Sequence, residues 1–408
     1  MRFVVFGGSG DMGRRAVFEL ARTPGVERVT IVGSSEASAS RAHALIGHAL
    51  DEALNGALSE APPGRGATDE PAARRGSAGK GAGAPAADLA IAAVDAADNE
   101  AVVRLMREHD VAVGALGPFY LYEERLVRAA IKARKPYVSI CDDADATAAA
   151  LSLDDQARVA GVPILTGMGW TPGLSNMLAL RAFRQMDSVD AIRIAWAGAS
   201  GPSPGPAVVF HTMHIFSGDI TTYAGGRYRR IPAGSEPERV RFPDPLGELP
   251  VCHVGHPEPL TLPRHLPGVK LVSLKGGVVE PLLHGLAAWT GRLGLTSTHG
   301  RRQFMSKLLR PFIPLLCRIG SRGHWAGLVV RVEGQKGGRP KVIESAALAT
   351  MDALTSVPLA IGALGLARGE IRRTGVFPPE AEGGPDPEAF LAELAERGVQ
   401  VMHTVENP

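Results

Sequence analysis

Three glycines near the start of the chain have the spacing of a phosphate-binding loop. They are Gly8, Gly10 and Gly13, which follow the apolar run 2–6 and precede a segment with helical periodicity, 14–22. One glycine takes the tight turn, another lets the backbone approach a pyrophosphate, and the last lets the helix pack close to the strand. The pyrophosphate then lies at the helix N-terminus, where N–H groups are free and the dipole is positive. We therefore predict cofactor contacts at Gly7, Gly8, Ser9, Gly10, Asp11, Met12 and Gly13.

The end of the second predicted strand, 29–32, bears on the choice between NAD and NADP. In an NAD enzyme an acidic side chain usually binds the ribose 2′-hydroxyl there. In this chain Ser34 and Ser35 follow the strand, Glu36 comes next and Arg41 lies further along. Hydroxyl groups and a guanidinium suit a 2′-phosphate, so we predict a preference for NADP through Ser34, Ser35 and Arg41. Glu36 keeps NAD as an alternative cofactor.

Strands and helices alternate as far as residue 166, which predicts an α/β fold with a parallel sheet. The further strands are predicted at 89–94, 111–116, 137–141 and 162–166. Ligands bind at the carboxyl ends of such strands. Cofactor contacts are therefore also expected at Asp95, Leu116, Gly117 and Pro118.

Hydride transfer requires a proton-handling group within hydrogen-bonding reach of the substrate. The candidates at the strand ends are Tyr120, Tyr122, Cys141 and Asp142. Cys141 has an alternative role as a small core residue. Asp142 has an alternative role as a helix cap.

Four stretches together resemble the saccharopine dehydrogenase family, on the reductase side that includes lysine 6-dehydrogenase and carboxynorspermidine dehydrogenase. They are Gly7–Gly13, Gly117–Tyr120 with Tyr137–Asp142, Gly167–Gly173, and Gly375–Glu380. The resemblance implies a Rossmann-type domain, a second α+β domain on a mixed sheet for substrate binding and dimerisation, and a homodimer. It also implies NAD(P)-dependent oxidation or reduction of a C–N bond in an amino-acid-like substrate. Thr171 stands where the family often has aspartate, which removes a carboxylate that could meet a substrate amine.

On this basis the dinucleotide-binding domain is expected at 1–168 and is completed by 346–408, while 169–345 forms the substrate and dimerisation domain. Residues 55–87 hold 21 Gly, Ala or Pro, so they cannot build a core, and we predict a mobile insertion there. Substrate contacts are expected at Trp170, Thr171, Pro172, Gly173 and His211. In the second half we predict helices at 172–186, 357–368 and 386–397, and strands at 191–197, 227–231, 239–242, 270–274 and 327–332.

Two other functions stay open. One is a trans-acting enoyl reductase that acts on a carrier-bound or lipid chain, since distant relatives of the family reduce C=C bonds. The basic stretch from Arg292 to Arg331 slightly favours this function and a carrier protein as partner. Within it, residues 304–319 mix apolar and basic side chains at helical spacing, which also suits a membrane surface or an anionic substrate. An amphipathic core helix with a solvated basic face explains the pattern better, since Pro311 and Pro314 break a clean membrane helix. The other is a non-catalytic NADP(H)-binding interaction protein.

Composition excludes several classes of protein. A formal net charge of +2 gives no indication of a nucleic-acid partner, and three scattered cysteines do not form a disulfide framework or a zinc site. The pairs His211/His214 and His253/His256 lack the further ligands of a metal site, so we expect no metal. The sequence contains no uninterrupted run of about 18 apolar residues, so we expect no membrane span. With no signal-peptide pattern at Met1, the expected location is the cytoplasm.

Overall fold

The structure is a computed structural model that describes residues 1–54, 86–199, 205–309, 311–316 and 323–407. Most of the predicted insertion, residues 55–85, lies outside the described residues. The same holds for Arg310, Arg318 and Arg322 of the basic stretch.

The described residues contain sixteen strands and fourteen helices. The strands are β1 (Arg2–Phe6), β2 (Arg28–Gly33), β3 (Asp88–Ala93), β4 (Val111–Gly114), β5 (Tyr137–Ser139), β6 (Pro163–Leu165), β7 (Ser188–Gly198), β8 (Asp219–Ala224), β9 (Tyr228–Pro232), β10 (Glu238–Arg241), β11 (Glu248–His253), β12 (Leu271–Val278), β13 (Trp325–Lys336), β14 (Arg339–Thr350), β15 (Gly375–Phe377) and β16 (Val401–Glu406). The helices are α1 (Asp11–Ala21), α2 (Glu36–Leu54), α3 (Asn99–Arg107), α4 (Phe119–Ala133), α5 (Ala144–Leu151), α6 (Asp154–Ala160), α7 (Leu174–Arg184), α8 (Pro206–Ile215), α9 (Glu258–His265), α10 (Pro281–Arg292), α11 (His299–Leu309), α12 (Ile313–Leu316), α13 (Met351–Ala367) and α14 (Pro387–Glu396).

The first sheet has seven parallel strands in the order β15-β6-β5-β4-β1-β2-β3. Its central strands are apolar and buried on both faces, as a sheet covered by helices requires. The strand order reverses between β1 and β4, so a crevice opens at their carboxyl ends. The predicted Rossmann-type sheet is confirmed.

The second sheet is mixed and has the strand order β10-β11-β12-β7-β13-β14-β16, with β8 and β9 attached to β12. Strands β12 and β7 are parallel, and the other neighbours are antiparallel. The predicted second α+β domain on a mixed sheet is therefore confirmed. The strands predicted at 227–231 and 239–242 correspond to β9 and β10, which pair antiparallel with β8 and β11 respectively.

The C-terminal part of the chain contributes to both sheets. Strand β14 extends beyond the expected boundary at 346, and β16 joins β14 in the second sheet, while β15 adds an edge strand to the first. Residues 346–408 are thus divided between the two sheets and do not all return to the first. Helix α13 packs on α1, where the Ser356 hydroxyl donates to the Met12 carbonyl at 2.7 Å.

Among the described residues, no helix combines the length and the apolar character that crossing a bilayer needs.

Candidate functional site

The glycine loop has the shape that a pyrophosphate requires. Gly7 adopts a φ of +78°, and a Cβ at this position would lie 2.3 Å from the Ala115 carbonyl at the end of β4. A Cβ at Gly13 would lie 2.1 Å from the Gly7 carbonyl, so only glycine lets α1 approach the loop this closely. The first amides of α1 have no acceptor within the helix, and no side chain in the described part of the chain caps them. The loop therefore fits a dinucleotide on its own geometry.

The residues predicted to choose the cofactor lie at the end of β2. Ser34 and Ser35 are exposed directly after β2, Glu36 is exposed in the first turn of α2, and Arg41 is exposed further along the same helix. The Ser35 side chain also accepts a hydrogen bond from the Ser38 amide at 3.3 Å. Their exposure leaves both predicted contacts open, the hydroxyls and guanidinium for a 2′-phosphate and Glu36 for a 2′-hydroxyl.

A cavity lies where the crevice of the first sheet meets the second domain. Met12, Gly117 and Pro118 line it on the side of the glycine loop. The opposite wall contains Asp142, Trp170, Thr171, Trp196, His211 and His256. Residues predicted to contact the cofactor and residues predicted to contact the substrate therefore line the same cavity.

Three ionisable side chains meet at one wall of the cavity. His211 on α8 donates from Nδ1 to Oδ1 of Asp143 at 2.9 Å, and the same Nδ1 lies 3.3 Å from Oδ1 of Asp142. Asp143 is completely buried and also accepts a hydrogen bond from the Tyr120 amide. Asp142 Oδ1 is buried without a hydrogen-bond partner among the described residues. Asp143, rather than Asp142, occupies the N-cap position of α5.

These contacts shift the pKa values of Asp142 and His211. Burial raises the pKa of Asp142 to about 7, and the nearby Asp143 charge adds to this although His211 opposes it. Burial also opposes the charged form of His211, but the Asp142 and Asp143 carboxylates outweigh it and raise its pKa to about 9. At neutral pH His211 is therefore an imidazolium, and Asp142 is close to its midpoint.

A buried polar network from the second domain completes the wall. Neither ring nitrogen of His256 has a hydrogen-bond partner in the described part of the chain, and burial together with the His211 charge lowers its pKa well below its usual value. The His256 ring lies 5.4 Å from that of His211. Glu258 accepts hydrogen bonds from the hydroxyls of Thr171 and Ser175, and burial raises its pKa to about 7. Neutral His256 can thus donate or accept a hydrogen bond toward a polar ligand.

The loop 167–173 contributes two of its predicted substrate-contact residues, Trp170 and Thr171, to the cavity. Trp170 and Trp196 pack edge to face at 5.5 Å, and both indole N–H groups are buried without a partner among the described residues. Pro172 and Gly173 instead shape the turn into α7, where the Gly173 amide donates to Asn176 and a Cβ would lie 2.2 Å from the Gly169 carbonyl. They position Trp170 and Thr171 rather than lining the cavity themselves.

The other predicted proton carriers lie elsewhere. Cys141 is completely buried beside the Thr147 hydroxyl, and burial raises the pKa of its thiol well above the usual range, which favours the core-residue alternative. The Tyr120 hydroxyl lies 3.1 Å from His299 Nδ1, and neither Tyr120 nor Tyr122 lines the cavity.

The two remaining cofactor predictions occupy different positions. Asp95 is exposed beyond β3, and its carboxylate accepts the Ala97 amide. Leu116 is half-buried beside the glycine loop.

Sequence reasoning missed Asp143, His256 and Glu258. Asp143 follows Asp142 directly, and the pattern of residues gave no sign of which side chain would face His211. His256 belonged to one of the two histidine pairs, but its role became visible only through the fold. Asp142, Asp143 and His211 are close enough to hold a metal ion. The 2.9 Å hydrogen bond between His211 and Asp143 already uses two of these three groups, so we interpret them as an ion pair.

No family model matches the chain. Among solved structures, apo saccharopine dehydrogenase (L-Glu forming) from Saccharomyces cerevisiae aligns over 99% of both chains with a TM-score of 0.63 and 12% identity. A probable dehydrogenase from Thermotoga maritima aligns over 99% of this chain and 98% of its own, with a TM-score of 0.42 and 10% identity. Biliverdin reductase from Synechocystis sp. PCC 6803 covers 97% and 95%, with a TM-score of 0.38 and 10% identity.

The fold is therefore that of a two-domain protein with a Rossmann-type sheet and a mixed-sheet second domain. Its arrangement along the whole chain is similar to that of the yeast saccharopine dehydrogenase structure. At this identity the likeness extends to the fold alone.

Proposed function

We propose that the protein is an NADP-dependent oxidoreductase of the saccharopine dehydrogenase type. It would move a hydride to or from a C–N bond of an amino-acid-like substrate. The observation that carries this proposal is the cavity in which Met12 and Gly117, from the cofactor side, face Asp142, His211 and His256. A dinucleotide-binding crevice that opens onto ionisable groups with shifted pKa values is typical of a catalytic site.

The glycine loop and the N-terminus of α1 would hold the pyrophosphate, and Gly117 and Pro118 would border the nicotinamide end. When bound, the cofactor supplies or accepts the hydride. Ser34, Ser35 and Arg41 would contact a 2′-phosphate at the other end. Trp170 and Trp196 form an apolar wall that excludes water from the reacting atoms.

The chain's own part of the reaction is proton transfer. Because Nδ1 of His211 donates to Asp143, the second proton of the imidazolium resides on Nε2. In the reductive direction Nε2–H would protonate the imine nitrogen, which makes the adjacent carbon more electrophilic. In the oxidative direction Asp142, with a pKa of about 7, would take a proton from the substrate. His256 would orient a polar substrate group.

The first experiment is a fluorescence titration of the purified protein with NADPH and, separately, NADH. Tighter binding of NADPH supports the proposed cofactor, whereas tighter binding of NADH contradicts it. Amine and keto-acid pairs are then screened for turnover with the preferred nucleotide.

The catalytic assignment is tested with Asp142→Asn. We expect kcat to fall by about 100-fold or more while the nucleotide Kd stays the same. Asp145→Asn is the matched control because this neighbouring carboxylate pairs with His214, outside the cavity lining. Unchanged turnover in Asp142→Asn would exclude the proposed role of Asp142.

A second candidate function is an enoyl reductase acting on an apolar chain. An apolar pocket adjoins the cavity and shares Val208, Thr212 and Val278 with it. Apart from two threonines, all the side chains that line this pocket are apolar. Reduction of a long-chain enoyl thioester, without turnover of any imine, would favour this candidate. Nucleotide binding without turnover of either substrate would favour the non-catalytic alternative.

A further inference from the structure

Exposed large apolar side chains are concentrated in one short segment. Of fifteen such side chains among the described residues, eight lie between residues 282 and 315. They form what we name the apolar face: Leu282, Trp289, Leu293, Leu295, Phe304, Leu308, Phe312 and Leu315. Exposed apolar patches of this kind commonly mark an interaction site.

Helical spacing explains why these side chains point outward together. On α10, Leu282, Trp289 and Leu293 are separated by seven and four residues and so share one side of the helix. On α11, Phe304 and Leu308 are four residues apart. Other side chains of the same helices, including Leu283, Leu286 and Leu309, line the apolar pocket. The same segment therefore carries apolar side chains that are exposed and apolar side chains that line the pocket.

The charge around the apolar face has a single sign. The sequence contains no Asp or Glu from residue 281 to residue 332. Arg292, Arg301 and Lys307 are exposed among the apolar side chains. A surface that combines exposed apolar and basic residues is complementary to a partner with an apolar interior and an anionic surface.

We propose that the apolar face docks on an anionic lipid bilayer. The aromatic and leucine side chains would enter the boundary between headgroups and acyl chains, and the three cations would contact the anionic headgroups. A second copy of the chain fits this face less well. A twofold contact places each surface against itself, so Arg292, Arg301 and Lys307 would meet one another with no acid of the segment to pair with them.

The position of the apolar face suggests what docking on a bilayer would achieve. Its side chains lie on or beside α10, α11 and α12, other side chains of these helices line the apolar pocket, and that pocket shares residues with the catalytic cavity. A protein docked in this way would have its pocket next to the bilayer, where hydrocarbon chains are available. The docking itself does not depend on the proposed reaction.

Docking is tested by sedimentation of the full-length protein with vesicles. The vesicles consist of phosphatidylcholine alone or phosphatidylcholine with about 30% phosphatidylglycerol. We expect binding to the anionic vesicles that weakens as salt is added, and weaker binding to the neutral ones. The double variant Trp289→Ser/Phe304→Ser should lower the partition coefficient by about tenfold or more. Lys307→Glu should lower it on anionic vesicles only.

Val159→Ser is the matched control, because Val159 is 91% exposed but lies on α6, away from the apolar face. It should bind vesicles like the wild type. Brominated lipid should quench the fluorescence of Trp289, which is 58% exposed, and this quenching should be absent in Trp289→Phe. Failure of the wild type to bind anionic vesicles would refute the proposal. A dimer that the double variant converts to a monomer, without vesicle binding, would assign the face to a second copy instead.

Sedimentation and quenching need neither nucleotide nor substrate. If they show no vesicle binding, that result therefore does not contradict the proposed reaction. In the same way, failure of turnover leaves the docking result valid. The two proposals are thus tested separately.

Discussion

Asp143 controls the charge of His211, and Asp143→Asn measures how strongly. Nδ1 of His211 donates to the completely buried Asp143 carboxylate at 2.9 Å. Burial opposes the charge, but Asp142 and Asp143 together raise the pKa of His211 from 6.5 to about 9. At about 1.4 kcal/mol per pKa unit, this rise corresponds to roughly 3 kcal/mol in favour of the imidazolium. One buried carboxylate in hydrogen-bonding contact should account for a large part of it.

Asn keeps an oxygen that can accept the Nδ1 proton, but it removes the charge. We therefore expect the pKa of His211 to fall by about 1–2 units in Asp143→Asn. The assay is an NMR titration of the imidazole ring protons, with the His211 signal assigned by its absence in His211→Gln. Asp145→Asn serves as the control, since Asp145 bonds to His214 and acts on His211 only from a distance.

Asp143→Asn should also change how the stability of the protein depends on pH. A pKa that is higher in the folded state stabilises the protein fully below the unfolded value of 6.5, and this contribution is lost as the pH rises through about 9. The difference in Tm between wild type and Asp143→Asn should therefore be larger near pH 6 than above pH 9. An unchanged or higher pKa of His211 in the variant would refute the assignment of Asp143 as its main hydrogen-bonded partner.

Three other substitutions test the glycine loop, the cofactor choice and a buried carboxylate. Gly13→Ala places a Cβ 2.1 Å from the Gly7 carbonyl, so NADPH affinity in a fluorescence titration should fall by about tenfold or more, with circular dichroism checking the fold. Arg41→Ala should weaken NADPH binding several-fold and leave NADH binding unchanged, and equal losses for both would contradict a 2′-phosphate contact. Glu380 accepts a hydrogen bond from Asn176, and burial raises its pKa to about 7. Because its folded pKa exceeds the unfolded value of 4.5, wild-type stability should decrease as the pH rises from 4.5 to about 7, and Glu380→Gln should flatten this part of the Tm profile.

The parts of the fold that follow from local pattern were predicted well. The run from β1 through the glycine loop to α1 is readable because apolar periodicity changes from strand to helix at Gly7–Gly13. The alternation of strands and helices then fixes a parallel sheet. By contrast, α8 and α10 were not predicted, and the pairing of β9 with β8 depends on contacts that only the second sheet defines.

The site was predicted in part for a related reason. Asp142 comes at the end of a strand, where the fold class directs attention, and His211 was named as a substrate contact. Their meeting across 69 positions of sequence, and the part played by Asp143, depend on how α8 packs over the first sheet. His256 and Glu258 come from a loop and helix whose placement has no local signature. Long-range packing of polar groups therefore limits what the sequence reveals about this site.

Helix α13 and strand β15 belong to the first domain but come late in the sequence. This order affects when a newly made chain becomes able to bind nucleotide. The glycine loop is translated first, but α13 and the edge strand β15 follow only after nearly all of the second sheet. Met351 and Thr355 of α13 line the cavity, so its wall is incomplete until that helix has left the ribosome. A ligand stabilises only the state that binds it. Nucleotide would therefore protect finished chains selectively, and chains truncated before α13 would be exposed to proteolysis.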